Sequence, residues 1–130
     1  MVAKGEFQVQ GWNENEYEGR DGARRLTEAV VEQQFSGELE GSGRARWLMS
    51  YAADGTATFL GLQVVRGALL GRTGSVVFET RGTFDGKVAR WTATVVDGSS
   101  TGELEGLEGT GTFEAPMGST ATFRLDVRLP

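Results

Sequence analysis

Apolar and polar side chains alternate along several stretches of this chain. The longest regular stretch lies near the C-terminus, where Ala121, Phe123, Leu125, Val127 and Leu129 are separated by Thr122, Arg124, Asp126 and Arg128. Shorter stretches with the same period surround Phe7, Trp47 and Trp91. Because successive side chains of a β-strand point to opposite faces, this period of two predicts strands with one buried face.

Residues that favour turns separate the alternating stretches. Asp-Gly pairs occur at 21–22, 54–55, 85–86 and 97–98, and further glycines cluster at 37–43, 67–74 and 98–111. Asp-Gly pairs supply the positive φ angles that tight hairpin turns require. The chain is thereby divided into eight predicted strands, near 5–12, 24–36, 43–52, 56–66, 74–83, 87–96, 109–115 and 120–129.

The segment 24–36 fits two patterns. Leu26, Ala29, Val30 and Gln33 form a helical stripe, whereas Thr27, Ala29, Val31, Gln33 and Phe35 share one face of a strand. β-Branched residues such as Val30 and Val31 favour strands, and Phe35-Ser36-Gly37 is typical of a strand end. We therefore predict a strand.

Eight antiparallel strands in one small domain need protection for their edges, which barrel closure removes altogether. A flat sandwich is the alternative, but short, regular loops favour pairing between sequence neighbours. We predict an all-β fold in which an eight-stranded antiparallel meander closes into a barrel, with residues 1–130 forming one domain. A barrel of eight strands encloses either packed side chains or one small ligand.

Composition limits the chemistry. The chain of 130 residues contains neither cysteine nor histidine, so disulfides, thiolate chemistry, histidine bases and ordinary zinc sites are excluded. Its net charge of −5 makes nucleic acid an unexpected partner. We expect no membrane-spanning segment, because no apolar run is long enough. The N-terminus lacks a hydrophobic signal core, so we expect a cytoplasmic protein.

Five stretches in their order along the chain resemble one known family. They are Gly5-Glu6-Phe7 with Trp12 and Tyr17, then 35–41, 57–62, 67–75 and 99–109. They resemble a family of small bacterial proteins of unknown function associated with the allene-oxide-cyclase-like β-barrel, a relative of calycin and dirigent barrels. The resemblance implies this barrel fold, and its wider relatives include isomerases and cyclases of apolar substrates. Histidines expected in the family near Glu79-Thr80 and Thr122 are missing here.

Polar residues on predicted apolar faces are the candidate ligand-binding and catalytic groups. Gln63, Gln33 and Tyr51 each share a face with apolar neighbours. A buried amide or phenol needs a hydrogen-bond partner, which a ligand or another side chain can supply. Trp47 and Trp91, with Trp12, provide flat apolar walls for an aromatic ligand, or simply fill the core.

Proton transfer without histidine would fall to carboxylates and Tyr51. If Glu79 points inward, burial would raise its pKa and make it a candidate acid or base. Arg81, two residues along the same strand face, would instead keep it ionised; the alternative is an outward, solvated pair. We therefore name Glu79 and Tyr51 as candidate catalytic residues, and Gln33, Trp47, Gln63 and Trp91 as candidate ligand-binding residues.

Two loops have a composition that could bind ions, but neither has the complete pattern of an ion site. The acidic loop 103–108 lacks the carboxylate spacing of a calcium loop, and the loop 71–75 lacks the lysine and helix of a phosphate loop. The loop around 101–106 echoes 36–41, which we interpret as similar turn chemistry. We expect no metal and no cofactor.

Three functions remain open. The first is a barrel that binds a small apolar or aromatic ligand. The second is an isomerase or cyclase in which shape and desolvation do most of the catalysis. The third is a structural or interaction protein with a filled barrel. Association into a homo-oligomer fits all three.

Overall fold

The computed structural model describes residues 1–19 and 24–130, and every regular element in those ranges is a β-strand. The strands are β1 (Val2–Glu18), β2 (Arg25–Gly37), β3 (Leu39–Tyr51), β4 (Ala57–Leu69), β5 (Arg72–Phe84), β6 (Val88–Val95), β7 (Thr101–Gly102), β8 (Glu108–Pro116) and β9 (Ala121–Arg128). Within these ranges, no helix is long and apolar enough to cross a membrane.

The sheet closes on itself. Antiparallel neighbours follow the chain from β1 to β6, then β8 and β9, and β9 returns to pair with β1. This last pairing joins residues 2–7 to residues 121–126. The predicted eight-stranded meander barrel is therefore confirmed, and the sandwich alternative is wrong. The two-residue strand β7 is an addition, which pairs with the start of β5.

The segment 24–36 is a strand, as predicted, and its buried residues alternate from Thr27 to Phe35. Strand β1 is longer than the predicted 5–12, because beyond Phe7 it leaves β9 and continues in pairing with β2 alone. A β-bulge between Val9 and Gly11 shifts its register against β2. Such a bulge exchanges the faces of all later side chains, which conceals this part of the strand from a period-two pattern.

Aspartates fix the turns as the sequence predicted. Asp54 Oδ1 accepts hydrogen bonds from the backbone N and the hydroxyl of Thr56, at 3.0 and 2.7 Å. Asp85 Oδ1 accepts from the backbone N atoms of Lys87 and Val88, at 2.9 and 2.8 Å. These bonds to the charged form lower the pKa of both carboxyls. The Asp21-Gly22 turn lies outside the described residues.

The two ends of the barrel differ. At one end, where Leu39 of β3 pairs with Leu69 of β4, Leu104 and Leu107 of the connection between β7 and β8 are also buried. The acidic loop thus contributes an apolar plug. At the other end, the connections 52–56, 85–87 and 117–120 surround an opening. We call this end of the barrel the open end.

Aromatic rings fill the middle of the barrel. They are Phe7, Phe35, Phe78, Trp91, Phe113 and Phe123, all buried. Trp91 and Phe113 stack with centroids 5.2 Å apart and an interplanar angle of 2°. Glycines opposite the rings provide the space: a Cβ on Gly82 would lie 2.6 Å from Phe59 Cζ, and one on Gly43 would lie 2.6 Å from Phe35 Cε2. The high glycine content therefore serves packing as well as turns.

Candidate functional site

A cavity of about 400 Å³ occupies the open end of the barrel. Its lining residues come from β1, β3, β4, β5, β6 and β8, and most are apolar: Val9, Trp12, Glu14, Trp47, Met49, Tyr51, Phe59, Phe84, Ala89, Trp91, Ala115, Pro116 and Met117. We call it the mouth cavity. A larger depression of about 630 Å³ on the outside of β5, β6, β8 and β9 is shallower and lined mainly by threonine and arginine. The mouth cavity has the enclosed, apolar character of a ligand site.

Three tryptophans form much of its wall. The Trp47 ring centroid lies 4.8 Å from that of Phe59, 4.9 Å from that of Trp91 and 6.0 Å from that of Trp12. Each indole N–H already donates to a protein acceptor: Trp47 to Thr80 Oγ1 at 3.0 Å, Trp12 to Glu14 Oε1 at 2.8 Å and Trp91 to Gln63 Oε1 at 3.4 Å. The indoles therefore offer carbon surface rather than donors to the cavity.

Glu14 and Tyr51 are the two titratable side chains in the lining. Glu14 Oε2 accepts a hydrogen bond from the Thr27 hydroxyl at 2.6 Å. Partial burial alone would raise the pKa of Glu14, but the hydrogen bonds from Thr27 and Trp12, followed by the influence of Tyr51 and Arg25, outweigh it and lower the pKa. The carboxylate is therefore ionised at neutral pH.

Tyr51 is protonated at the same pH. Burial, and then the neighbouring Glu14, raise the pKa of Tyr51 to about 12. Its hydroxyl has hydrogen-bond geometry toward Met49 Sδ, at 3.8 Å, which is a weak acceptor. At neutral pH the cavity therefore holds a protonated phenol and an ionised carboxylate.

Of the residues proposed from the sequence, Tyr51, Trp47 and Trp91 lie together in the mouth cavity. Gln33 and Gln63 do not line it. They lie deeper, fully buried behind Trp91, and Gln63 Nε2 donates to Gln33 Oε1 at 2.8 Å. One hydrogen bond thus joins the two amides, so the alternative to a direct role in binding, a satisfied buried pair, is met only in part. Gln33 Nε2 has no protein partner among the described residues.

Glu79 was a catalytic candidate on the condition that it points inward, and the structure contradicts that condition. Glu79 and Arg81 are exposed on the outer face of β5, whereas Val76, Phe78 and Thr80 face the interior. Because side chains alternate, placing Phe78 in the core forces Glu79 outward. The polar group that this strand does contribute inside is Thr80, whose hydroxyl accepts from Trp47 and donates to the Gly61 carbonyl at 3.0 Å.

Sequence reasoning missed Glu14 and Thr80. Glu14 follows the bulge in β1, so counting in twos from Phe7 and Val9 puts it on the wrong face. Thr80 follows Glu79 in the sequence and faces inward. The apolar Phe78, two residues earlier on the same face, could have indicated this orientation. In the ranges 1–19 and 24–130, no three acidic side chains gather as metal ligands. In the loop 103–108, Glu103 instead accepts from the backbone N of Thr73, at 3.0 Å.

These features define a small, closed, antiparallel β-barrel with an aromatic cavity at one end. The model of a family described as a protein of unknown function, DUF3224, matches residues 3–127. The chain therefore belongs to the DUF3224 family, which confirms the expected membership of a family without assigned function.

One solved structure shows the same barrel. It is the crystal structure of a DUF3224 family protein of unknown function from Shewanella oneidensis MR-1, which is 28% identical in sequence. The two structures superimpose with a TM-score of 0.84, over 100% of this chain and 98% of the other. No curated protein matches this chain. These similarities establish family and fold, and name no activity.

The glutamine pair yields a stability prediction. Gln33→Met leaves the buried Gln63 Nε2 without an acceptor and should lower the free energy of unfolding by about 1–3 kcal/mol. Gln63→Met should cost a similar amount, because it strands Gln33 Oε1 and Trp91 Nε1. The double variant removes both partners and should cost less than the sum of the two. Urea denaturation measures all three, and strictly additive costs would contradict the pairing.

The Tyr51–Glu14 proximity yields a pH prediction. In a Tyr17→Phe background, the near-ultraviolet absorbance of phenolate reports Tyr51 alone, with a pKa of about 12. Adding Glu14→Gln should lower that pKa toward its ordinary value. Because the folded pKa exceeds the unfolded one, Tyr51 stabilises the fold below about pH 10 and loses this contribution as pH rises toward 12. Tyr51→Phe should weaken this alkaline loss. An unchanged Tyr51 pKa in Glu14→Gln would refute the coupling.

Proposed function

We propose that this protein is a binding barrel that holds one small ligand with an apolar, ring-containing body in the mouth cavity. The carrying observation is the cavity of about 400 Å³, walled by aromatic rings whose polar atoms are engaged elsewhere. Pockets for organic ligands have volumes of roughly 300–1,000 Å³ and largely apolar walls. The phenol of Tyr51 would orient a polar atom of the ligand.

The interior below the cavity supports binding at the mouth rather than deep inside. Buried rings and the glutamine pair occupy the middle of the barrel, and Leu104 and Leu107 cover the far end. The filled barrel expected of an interaction protein is thus found in this lower part. A ligand would rest on Trp47 and Trp91, which form the boundary between the filled part and the cavity.

The second candidate, an isomerase or cyclase of the allene-oxide-cyclase-like type, would use the same cavity. General acids and bases work best when their pKa lies near the working pH. In the mouth cavity the pKa of Tyr51 is about 12 and that of Glu14 is lowered. Neither group is prepared for proton transfer at neutral pH, so catalysis would depend on shape and desolvation.

Binding can be measured with the neutral dye phenylnaphthylamine, whose fluorescence rises in apolar sites. Trp12→Ala removes a half-exposed wall of the cavity and should weaken dye binding several-fold, given about 0.5–1.5 kcal/mol for an aromatic pair beyond its buried area. Ala89→Phe fills the cavity and should abolish binding. Tyr17→Ala, an exposed aromatic outside the lining, is the matched control and should have no effect.

Native mass spectrometry of freshly purified protein gives an independent readout. A retained small molecule that Ala89→Phe excludes would support the binding barrel. Dye binding that Trp12→Ala and Ala89→Phe both leave unchanged would place any site elsewhere and overturn the proposal.

A further inference from the structure

We infer that the ligand carries a positive charge, as an ammonium group attached to the apolar body. This inference rests on the proposed function and specifies its ligand class. Its basis is the juxtaposition of one ionised carboxylate, Glu14, with six aromatic side chains in a single cavity: Trp12, Trp47, Tyr51, Phe59, Phe84 and Trp91.

Charge is the first argument. Among the residues that the structure describes, Glu14 is the one ionised side chain of the lining, which includes no lysine or arginine from that part of the chain. Its two oxygens already accept from Trp12 and Thr27, so the carboxylate is held in place before any ligand arrives. Those neutral donors leave its negative charge in the site. A cationic ligand would gain from this charge, whereas an anionic ligand would be repelled.

The rings are the second argument. The face of an aromatic ring is negative and attracts cations, with Trp the strongest of the side chains. Because the indole N–H groups of Trp12, Trp47 and Trp91 are bonded to protein acceptors, the positive edges of these rings are already paired. Aromatic cages that recognise ammonium groups combine the same two elements, ring faces and a carboxylate.

Arg25 is a cation beside the entrance of the mouth cavity. Its guanidinium carbon lies 4.8 Å from the ring centroid of Tyr51, and its Nε lies 3.7 Å from Glu16 Oε1. Arg25 is exposed and is not part of the lining, and its influence is the smallest of those acting on the pKa of Glu14. It therefore occupies the rim without neutralising the carboxylate inside, where the ligand would bind.

The test uses three probes with one body: phenylpropylamine, phenylpropanol and phenylpropionate. Calorimetry on the wild-type protein should rank the amine first, the alcohol second and the acid last. Glu14→Gln should weaken amine binding by about 5- to 30-fold, which corresponds to about 1–2 kcal/mol, and should weaken alcohol binding much less, because only the amine loses a charge partner. Glu18→Gln, an exposed carboxylate on the same strand outside the cavity, is the matched control.

The outcomes separate the two proposals. If the alcohol binds as well as the amine, and Glu14→Gln affects neither, the inferred charge is wrong while the binding barrel stands. If none of the probes binds and the neutral dye also fails, the binding barrel itself is wrong.

The outer face of β3, β4 and β5 carries a patch of exposed leucines. Leu48, Leu60 and Leu62 are adjacent there and 46%, 45% and 52% exposed. Glu79 and Arg81 flank them on β5, opposite Leu62 and Leu60, and neither forms an ion pair within the described ranges. A contiguous patch of exposed apolar side chains is a feature of interaction surfaces.

We propose that this face binds a second copy of the chain. A two-fold axis lying in the contact plane, across the strands between Leu60 and Leu62, would set Leu60 against Leu62 of the copy. The same axis would set Glu79 against Arg81 of the copy, and Arg81 against its Glu79. The β4 and β5 positions are therefore self-complementary, leucine against leucine and carboxylate against guanidinium, as an isologous dimer requires, whereas Leu48 on β3 would lie against Arg46 of the copy.

Analytical ultracentrifugation tests the dimer. The wild-type protein should dimerise, Leu62→Asp should be monomeric, and Thr112→Asp, on the outer face of β8, should leave the dimer intact. Glu79→Arg should also dissociate it, and the charge exchange Glu79→Arg with Arg81→Glu should restore it. A monomeric wild-type protein at about 100 μM, or a dimer indifferent to Leu62→Asp, would overturn the proposal; the micromolar range is ordinary for weak interfaces.

Discussion

The pairing of β1 with β9 is the constraint on which the rest of this structure depends. It joins residues 2–7 to residues 121–126 and turns an open meander into a closed barrel. Closure satisfies the backbone groups that two sheet edges would otherwise expose. It also defines an inside, so that each strand must divide its side chains between a core and a surface.

A closed barrel of eight strands is narrow inside. This narrow interior explains why the chain contains many glycines together with many aromatic residues. At several positions a large ring finds room because the residue facing it has no side chain. Gly43 and Gly82 illustrate this, because a Cβ at either position would lie 2.6 Å from a buried aromatic ring. The aromatic interior then supports the mouth cavity from below, since Trp91 belongs to both.

Regular alternation made most of the fold predictable. Strands β2 to β6, β8 and β9 follow it, and the resulting number and order of strands indicated closure. Where the alternation was regular, the orientation of each side chain was also determined, and Phe78 in the core was sufficient reason to place Glu79 outside. The glutamines were correctly predicted to be buried, but a pattern along one strand cannot show that Gln33 and Gln63, thirty residues apart in sequence, meet across the interior.

The mouth cavity could be predicted only in part, for a structural reason. Beyond Phe7, β1 extends past the first residue of β9 and pairs with β2 alone, at the end of the barrel where the cavity lies. The bulge between Val9 and Gly11 then exchanges the faces of β1 and turns Trp12 and Glu14 toward the opening. A strand that kept its register would direct Asn13 and Asn15 there instead, without a carboxylate or an indole. The bulge that breaks the sequence pattern is therefore also the feature that places an indole and a carboxylate in the cavity. Bulges are common beside binding sites because they redirect side chains in this way.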